Sequence, residues 1–119
     1  MNWDDAMKCC SFGCEGAHLV YIESEQENMK VSSLVFEVVR PANEHWWIGL
    51  SDREEEGSWK WGDVPVTYEN WRKNEPNNSG AGEDCGELKS RNGDNAFWND
   101  ESCNSLRHFI CEKDMKADT

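Results

Sequence analysis

Between Gly62 and Phe97 the chain has almost no hydrophobic periodicity, and glycine, asparagine, proline and aspartate dominate. A structureless connection of that length is rare in a compact domain, so something besides a backbone ladder must hold it. Two candidates are written into this part of the chain. Cysteines can clamp it, and oxygen donors crowd together in Glu75-Pro76-Asn77, Glu83-Asp84-Cys85 and, just beyond, Trp98-Asn99-Asp100. Carboxylates and carboxamides with little competing sulfur or imidazole suit Ca²⁺, which takes about six to eight oxygens at roughly 2.3–2.6 Å. An asparagine gives the metal a neutral oxygen while its NH₂ group remains a hydrogen-bond donor. A ligand with two adjacent hydroxyls could therefore engage the ion and the ion's own ligands together.

Composition narrows the alternatives. The chain has 119 residues, suited to a single domain over 1–119, and its seven tryptophans and 37% apolar content exclude a disordered acidic tail. A net charge of −12 disfavours nucleic acid and anionic membrane surfaces as partners and favours cations. No apolar run approaches the roughly 18–20 residues of a membrane span, so direct membrane insertion is not expected. The start, Met1-Asn2-Trp3-Asp4-Asp5, is acidic and unlike a signal peptide, whereas six cysteines argue for an oxidising compartment. The two together read as a mature or partial product of an extracellular protein. His18, His45 and His108 lack zinc-ligand spacing, and no nucleophile elbow or phosphate loop is present. Glu83 and Asp84, being adjacent, are poorly placed to flank a glycosidic bond. An enzyme is not expected.

The periodic segments give an α+β order. Residues 3–14 carry Trp3, Ala6, Met7 and Cys10 at helical spacing. Leu19-Val20-Tyr21-Ile22 reads as a short strand. Ser24 and Glu27 form a capping box for a second helix with Val31, Leu34, Val35 and Val38 as its buried stripe, ending before Pro41. Residues 46–50 and 59–61 read as strands, and His108-Phe109-Ile110-Cys111 as a closing strand. Trp46, Trp47, Trp59, Trp61 and Trp98 read as core packing rather than as ligand platforms.

Trp47-Ile48-Gly49-Leu50, Glu75-Pro76-Asn77, Glu83-Asp84-Cys85, Trp98-Asn99-Asp100 and Phe109-Ile110-Cys111-Glu112, in that order, resemble a C-type lectin domain from Trp3 to Glu112. The resemblance implies a C-type lectin-like fold with two helices, small antiparallel sheets and a long Ca²⁺-stabilised loop linked by disulfides. It implies a principal, sugar-binding Ca²⁺ held by Glu75, Asn77, Glu83, Asn99 and Asp100, with Pro76 following a cis peptide bond. A second Ca²⁺ would use Asp52, Glu56, Asn78, Glu83 and Asp84. Glu-Pro-Asn, rather than Gln-Pro-Asp, resembles the mannose-type branch, whose sugars include mannose, N-acetylglucosamine, glucose and fucose. Affinity for one monosaccharide would be near millimolar, about 4 kcal/mol, so oligomers would be needed for avidity.

The resemblance pairs Cys10 with Cys111, and Cys85 with Cys103. It leaves Cys9 and Cys14, which could bridge each other, pair with another chain or remain thiols. Two departures stand out: the family places a strand before the first helix, and extra residues lie between Cys10 and Gly16. Asn77-Asn78-Ser79 is formally a glycosylation sequon, expected to be empty because a glycan on Asn77 would block a ligand. The alternative function on the same scaffold is a protein- or surface-binding module without sugar contact.

Overall fold

The computed structural model describes residues 1–13, 17–39, 45–71, 83–89 and 96–113, with side chains left aside at 13 and 36–39. Helix α1 spans Trp3–Gly13. It starts where Asn2 Oδ1 accepts the Asp5 N–H at 2.9 Å, an N-cap reinforced by the dipole-complementing Asp4 and Asp5. Trp3, Ala6 and Cys10 are buried, whereas Met7 is exposed, so the helix's inward stripe is narrower than its sequence pattern.

Helix α2, Glu25–Val39, begins at the anticipated cap. Ser24 Oγ accepts the Glu27 N–H, and Glu27 Oε1 reaches back one residue further than in an ideal box, to the Glu23 N–H. The buried stripe differs from the expected one. Leu34 is exposed, Val31 is half-buried, Val35 is buried, and Val38 lies outside the described side chains. Polar Asn28 and Ser32 fill the inward positions instead. They do so because each is hydrogen-bonded to the sheet, as described below.

Eight strands are present among the described residues: β1 Ala17–Leu19, β2 His45–Ser51, β3 Lys60–Trp61, β4 Val64–Pro65, β5 Cys85–Lys89, β6 Phe97–Glu101, β7 His108–Phe109 and β8 Cys111–Lys113. One sheet has the order β4-β3-β2-β5-β6, with β7 pairing parallel to β2. A second contains β1 and β8. The expected strand at 19–22 thus lies two residues earlier. Val20 and Ile22 remain buried as core residues beyond it, and the closing strand is shared between both sheets.

Strand β2 is buried along five consecutive positions because both faces are covered. Trp46, Ile48 and Leu50 join Trp59, Trp61, Leu88 and Trp98 on one side. Trp47 packs on the other with Trp3, Ala6, Cys10, Leu19 and Cys85. Continuous apolar runs are what two covered faces require, and each fully buried aliphatic side chain contributes about 1.5–3 kcal/mol. Trp61 and Trp98 meet edge to face at 5.3 Å, and the Trp3 indole N–H donates to Ile48 O at 2.9 Å.

The stretch anticipated as structureless is interrupted by β5, which lies inside the sheet between β2 and β6. Gly86 permits this. A Cβ there would stand 2.7 Å from Leu50 Cβ, so a larger residue would push β5 away from the core. Two disulfides secure the architecture: Cys10–Cys111 ties α1 to β8, and Cys85–Cys103 ties β5 to the turn after β6. Cys9 is an exposed free cysteine on α1, beside the buried Cys10. Cys14 itself lies outside the described residues.

Candidate metal centre

Antiparallel pairing of β2 with β5 sets Ser51 opposite Cys85, which brings the next residue of one strand beside the preceding residue of the other. Those residues are Asp52 and Asp84, and the Asp52 N–H donates to Asp84 O at 3.0 Å. After Asp52 the chain folds back through a turn in which Asp52 Oδ2 accepts the Gly57 N–H at 2.8 Å. Gly57 adopts φ +84°, which favours glycine, and this closes the turn so that Glu56 faces the two aspartates. One carboxylate oxygen from each of Asp52, Glu56 and Asp84 lies within 4.8 Å of the others.

Three acids this close repel unless protons or a cation intervene. A proton shared with Asp52, then desolvation and the neighbouring Asp84, push the Glu56 carboxyl up to about 7. Burial, opposed by the Gly57 N–H, raises Asp52 as well. Asp52 Oδ1 and Asp84 Oδ1 are buried with no hydrogen-bond partner. Buried acceptors are normally satisfied, and a hard divalent cation meets the needs of both oxygens at once. The residues present therefore fit Ca²⁺. Asn78, the carboxamide expected to join them, lies outside the described residues.

Of the five side chains expected at the principal ion, Glu75 and Asn77 lie outside the described residues, as does Pro76. Glu83 is half-buried immediately before Asp84. Asn99 and Asp100 are neighbours on β6, paired with Glu87 and Gly86 of β5. Asp100 is buried on the Trp98 side of the strand, while Asn99 stands on the Glu87 side, half-buried.

Glu87 is the functional candidate that the sequence did not single out. It is fully buried, yet three donors converge on it. Arg107 Nε donates to Oε1 at 2.9 Å, while His45 Nδ1 at 2.7 Å and Asn99 Nδ2 at 3.0 Å donate to Oε2. Burial alone would raise its carboxyl; hydrogen bonds from His45, Asn99 and Arg107 outweigh that and hold it below the usual carboxylate range. Arg107 also donates to Glu101 Oε2 at 2.9 Å, which fixes its side chain. No local signal marked Glu87, an isolated acid in an aperiodic stretch; only the β2–β5–β6 register reveals it.

This architecture is that of a C-type lectin. The Lectin C-type domain family model matches residues 1–113, and the chain belongs to that family. It is 40% identical to the CD209 antigen of Macaca mulatta over 94% of this chain, but spans only 26% of that protein's length. The C-type lectin lectoxin-Lio2 of Erythrolamprus poecilogyrus is 38% identical, with 98% of this chain and 71% of that protein covered. Among solved structures, the mouse scavenger receptor C-type lectin carbohydrate-recognition domain superposes with a TM-score of 0.80 at 38% identity, covering 95% of this chain and 82% of that one.

Proposed function

We propose that this protein is a non-enzymatic, Ca²⁺-dependent carbohydrate-binding module of the mannose type, working in an extracellular setting. The observation that carries the reading is the Asp52–Glu56–Asp84 cluster with its buried, unsatisfied oxygens, at the position where the family resemblance expects a calcium ion. Glu75, Asn77, Glu83, Asn99 and Asp100 would hold the principal ion. Asp52, Glu56, Asn78, Glu83 and Asp84 would hold the second, with Glu83 shared. When bound, the principal Ca²⁺ supplies a Lewis-acidic centre for two neighbouring sugar hydroxyls. The chain's own part is hydrogen-bond polarity: Glu75 accepts from one hydroxyl and Asn77 donates to its neighbour. Glu-Pro-Asn supports mannose-type sugars, as does 35% identity, over 93% of this chain, to the C-type lectin mannose-binding isoform of Oxyuranus scutellatus.

Calorimetric titration of the oxidised protein with Ca²⁺, with and without methyl mannoside, tests this directly. The expected result is calcium uptake, saturable sugar binding only in its presence, and release from mannose resin by a chelator. Sugar retention that survives chelation would remove the metal from the mechanism. Calcium uptake with no response on a glycan array would instead favour a protein-binding module.

A further inference from the structure

We propose that Glu87 is a positioning residue that fixes which end of the Asn99 carboxamide is offered to calcium, an inference that rests on the principal-site reading above. A carboxamide can rotate by half a turn and exchange its oxygen for its NH₂ group; only the oxygen binds a metal. A carboxylate accepts and does not donate, so only the NH₂ end of Asn99 can face Glu87. That is the observed arrangement, at 3.0 Å from Nδ2 to Oε2 across the β5–β6 pair. One N–H is thereby committed, leaving Oδ1 for the ion and the second N–H for a ligand hydroxyl.

Glu87 can impose this polarity because its own position is over-determined. Its side chain is fully buried, Arg107 holds Oε1, and His45 shares Oε2 with Asn99. Metal ligands are commonly oriented by such supporting groups, whose loss costs about 10–100-fold in metal affinity.

The geometry makes a prediction specific to polarity rather than to packing. Arg107 can only donate, so in Glu87→Gln the introduced carboxamide must keep its oxygen on Arg107 and turn its NH₂ toward Asn99. Donor then meets donor. Asn99 turns over, and the ion is left facing an NH₂ group. Aspartate at position 99 has an oxygen at both ends, so Asn99→Asp should repair the Glu87→Gln variant. Alone, Asn99→Asp sets two carboxylates side by side.

Calcium titration of the wild type, both single variants and the double variant tests the idea, with uptake at the Asp52–Glu56–Asp84 ion as the internal control for folding. The expected result is about tenfold weaker principal-site affinity in each single variant, and recovery to within about threefold of wild type in the double variant. A double variant no better than its weaker parent overturns the inference while leaving the proposed function standing. A wild-type protein with no principal-site calcium overturns both. Should Glu87→Gln fail to fold, NMR of the wild type decides: a scalar coupling across the Asn99 Nδ2–H to Glu87 carboxylate bond is expected, and its absence refutes the assignment.

Discussion

Trp98 donates its indole N–H to Asn28 Oδ1 at 2.8 Å, joining the strand that carries Asn99 and Asp100 to helix α2 across a sequence separation of 70. The other end of the same amide donates to Ala96 O at 2.9 Å, and Ser32 Oγ accepts the Ala96 N–H at 2.8 Å. Two polar residues on α2 therefore satisfy the backbone where the chain enters β6. This explains why the helix buries Asn28 and Ser32 at positions where an amphipathic pattern would place aliphatic side chains.

Replacing Asn28 by alanine leaves the Trp98 N–H buried without its partner and takes one donor from the Ala96 carbonyl. Each such loss costs about 1–3 kcal/mol, so Asn28→Ala should lose about 2–4 kcal/mol in urea unfolding. Asn28→Asp keeps the acceptor for Trp98 but loses the donor to Ala96, and should also be destabilised. A loss below about 1 kcal/mol in Asn28→Ala would mean that water replaces the amide.

These polar tethers mark the limit of what the sequence discloses. Helix α1, the capping residues of α2, strand β2 and both disulfides were legible because period, cap chemistry and family spacing act locally. The Asp52–Glu56–Asp84 grouping was legible through the family resemblance. Strand β5 was not, because Gly86 and Glu87 interrupt any apolar signal. Their fit depends on Leu50 packing over one and on His45, Arg107 and Asn99 surrounding the other. Tertiary contacts of that kind leave no periodicity to read.

Glu87 should leave its mark on acid unfolding. Its folded-state carboxyl is held below its ordinary value of 4.5, so the folded protein releases that proton more readily than the unfolded chain. The stability this contributes is present above about pH 4.5 and is lost as pH falls through the lower, folded value. Glu87→Gln, which cannot titrate, should show a shallower decline of unfolding free energy below pH 4.5. An unchanged slope would place the acid sensitivity elsewhere.

The acid cluster behaves in the opposite sense. Glu56 keeps a proton in the folded, calcium-free protein up to about pH 7, whereas the unfolded chain gives it up near 4.5. Stability of the calcium-free protein should therefore fall as pH rises from about 4.5 to 7, and calcium should stabilise most at the upper end. Calcium must displace that proton to bind. Calorimetry near pH 6 in two buffers of different ionisation enthalpy should show proton release on calcium binding, reduced in Glu56→Gln. Identical heats in both buffers would contradict this.

Gly49 carries a packing constraint of its own. A Cβ there would stand 2.7 Å from the Tyr21 ring and 2.8 Å from Leu19 O, and the second of these is backbone. The Gly49 N–H also donates to Val20 O at 2.8 Å, so β2 cannot retreat without breaking a hydrogen bond. Gly49→Ala should cost about 1–3 kcal/mol as an overpacked site, measured as a shift in denaturant midpoint. A neutral result would show that Tyr21 and β1 move together.

Sugar preference offers the sharpest test of the proposed function. In the mannose-type reading, Glu75 accepts a proton from one hydroxyl while Asn77 donates to the adjacent one, a polarity that suits two equatorial hydroxyls. Glu75→Gln combined with Asn77→Asp reverses donor and acceptor while preserving size, shape and total ligand charge, so calcium affinity should change little. Galactose, with an axial 4-hydroxyl, should then gain on mannose in competition for the calcium-loaded protein. The reversal isolates hydrogen-bond direction from metal binding because both substituted side chains keep an oxygen for the ion. A mannose-to-galactose ratio that stays where it was, at equal calcium occupancy, would assign selectivity to contacts beyond the Glu-Pro-Asn segment.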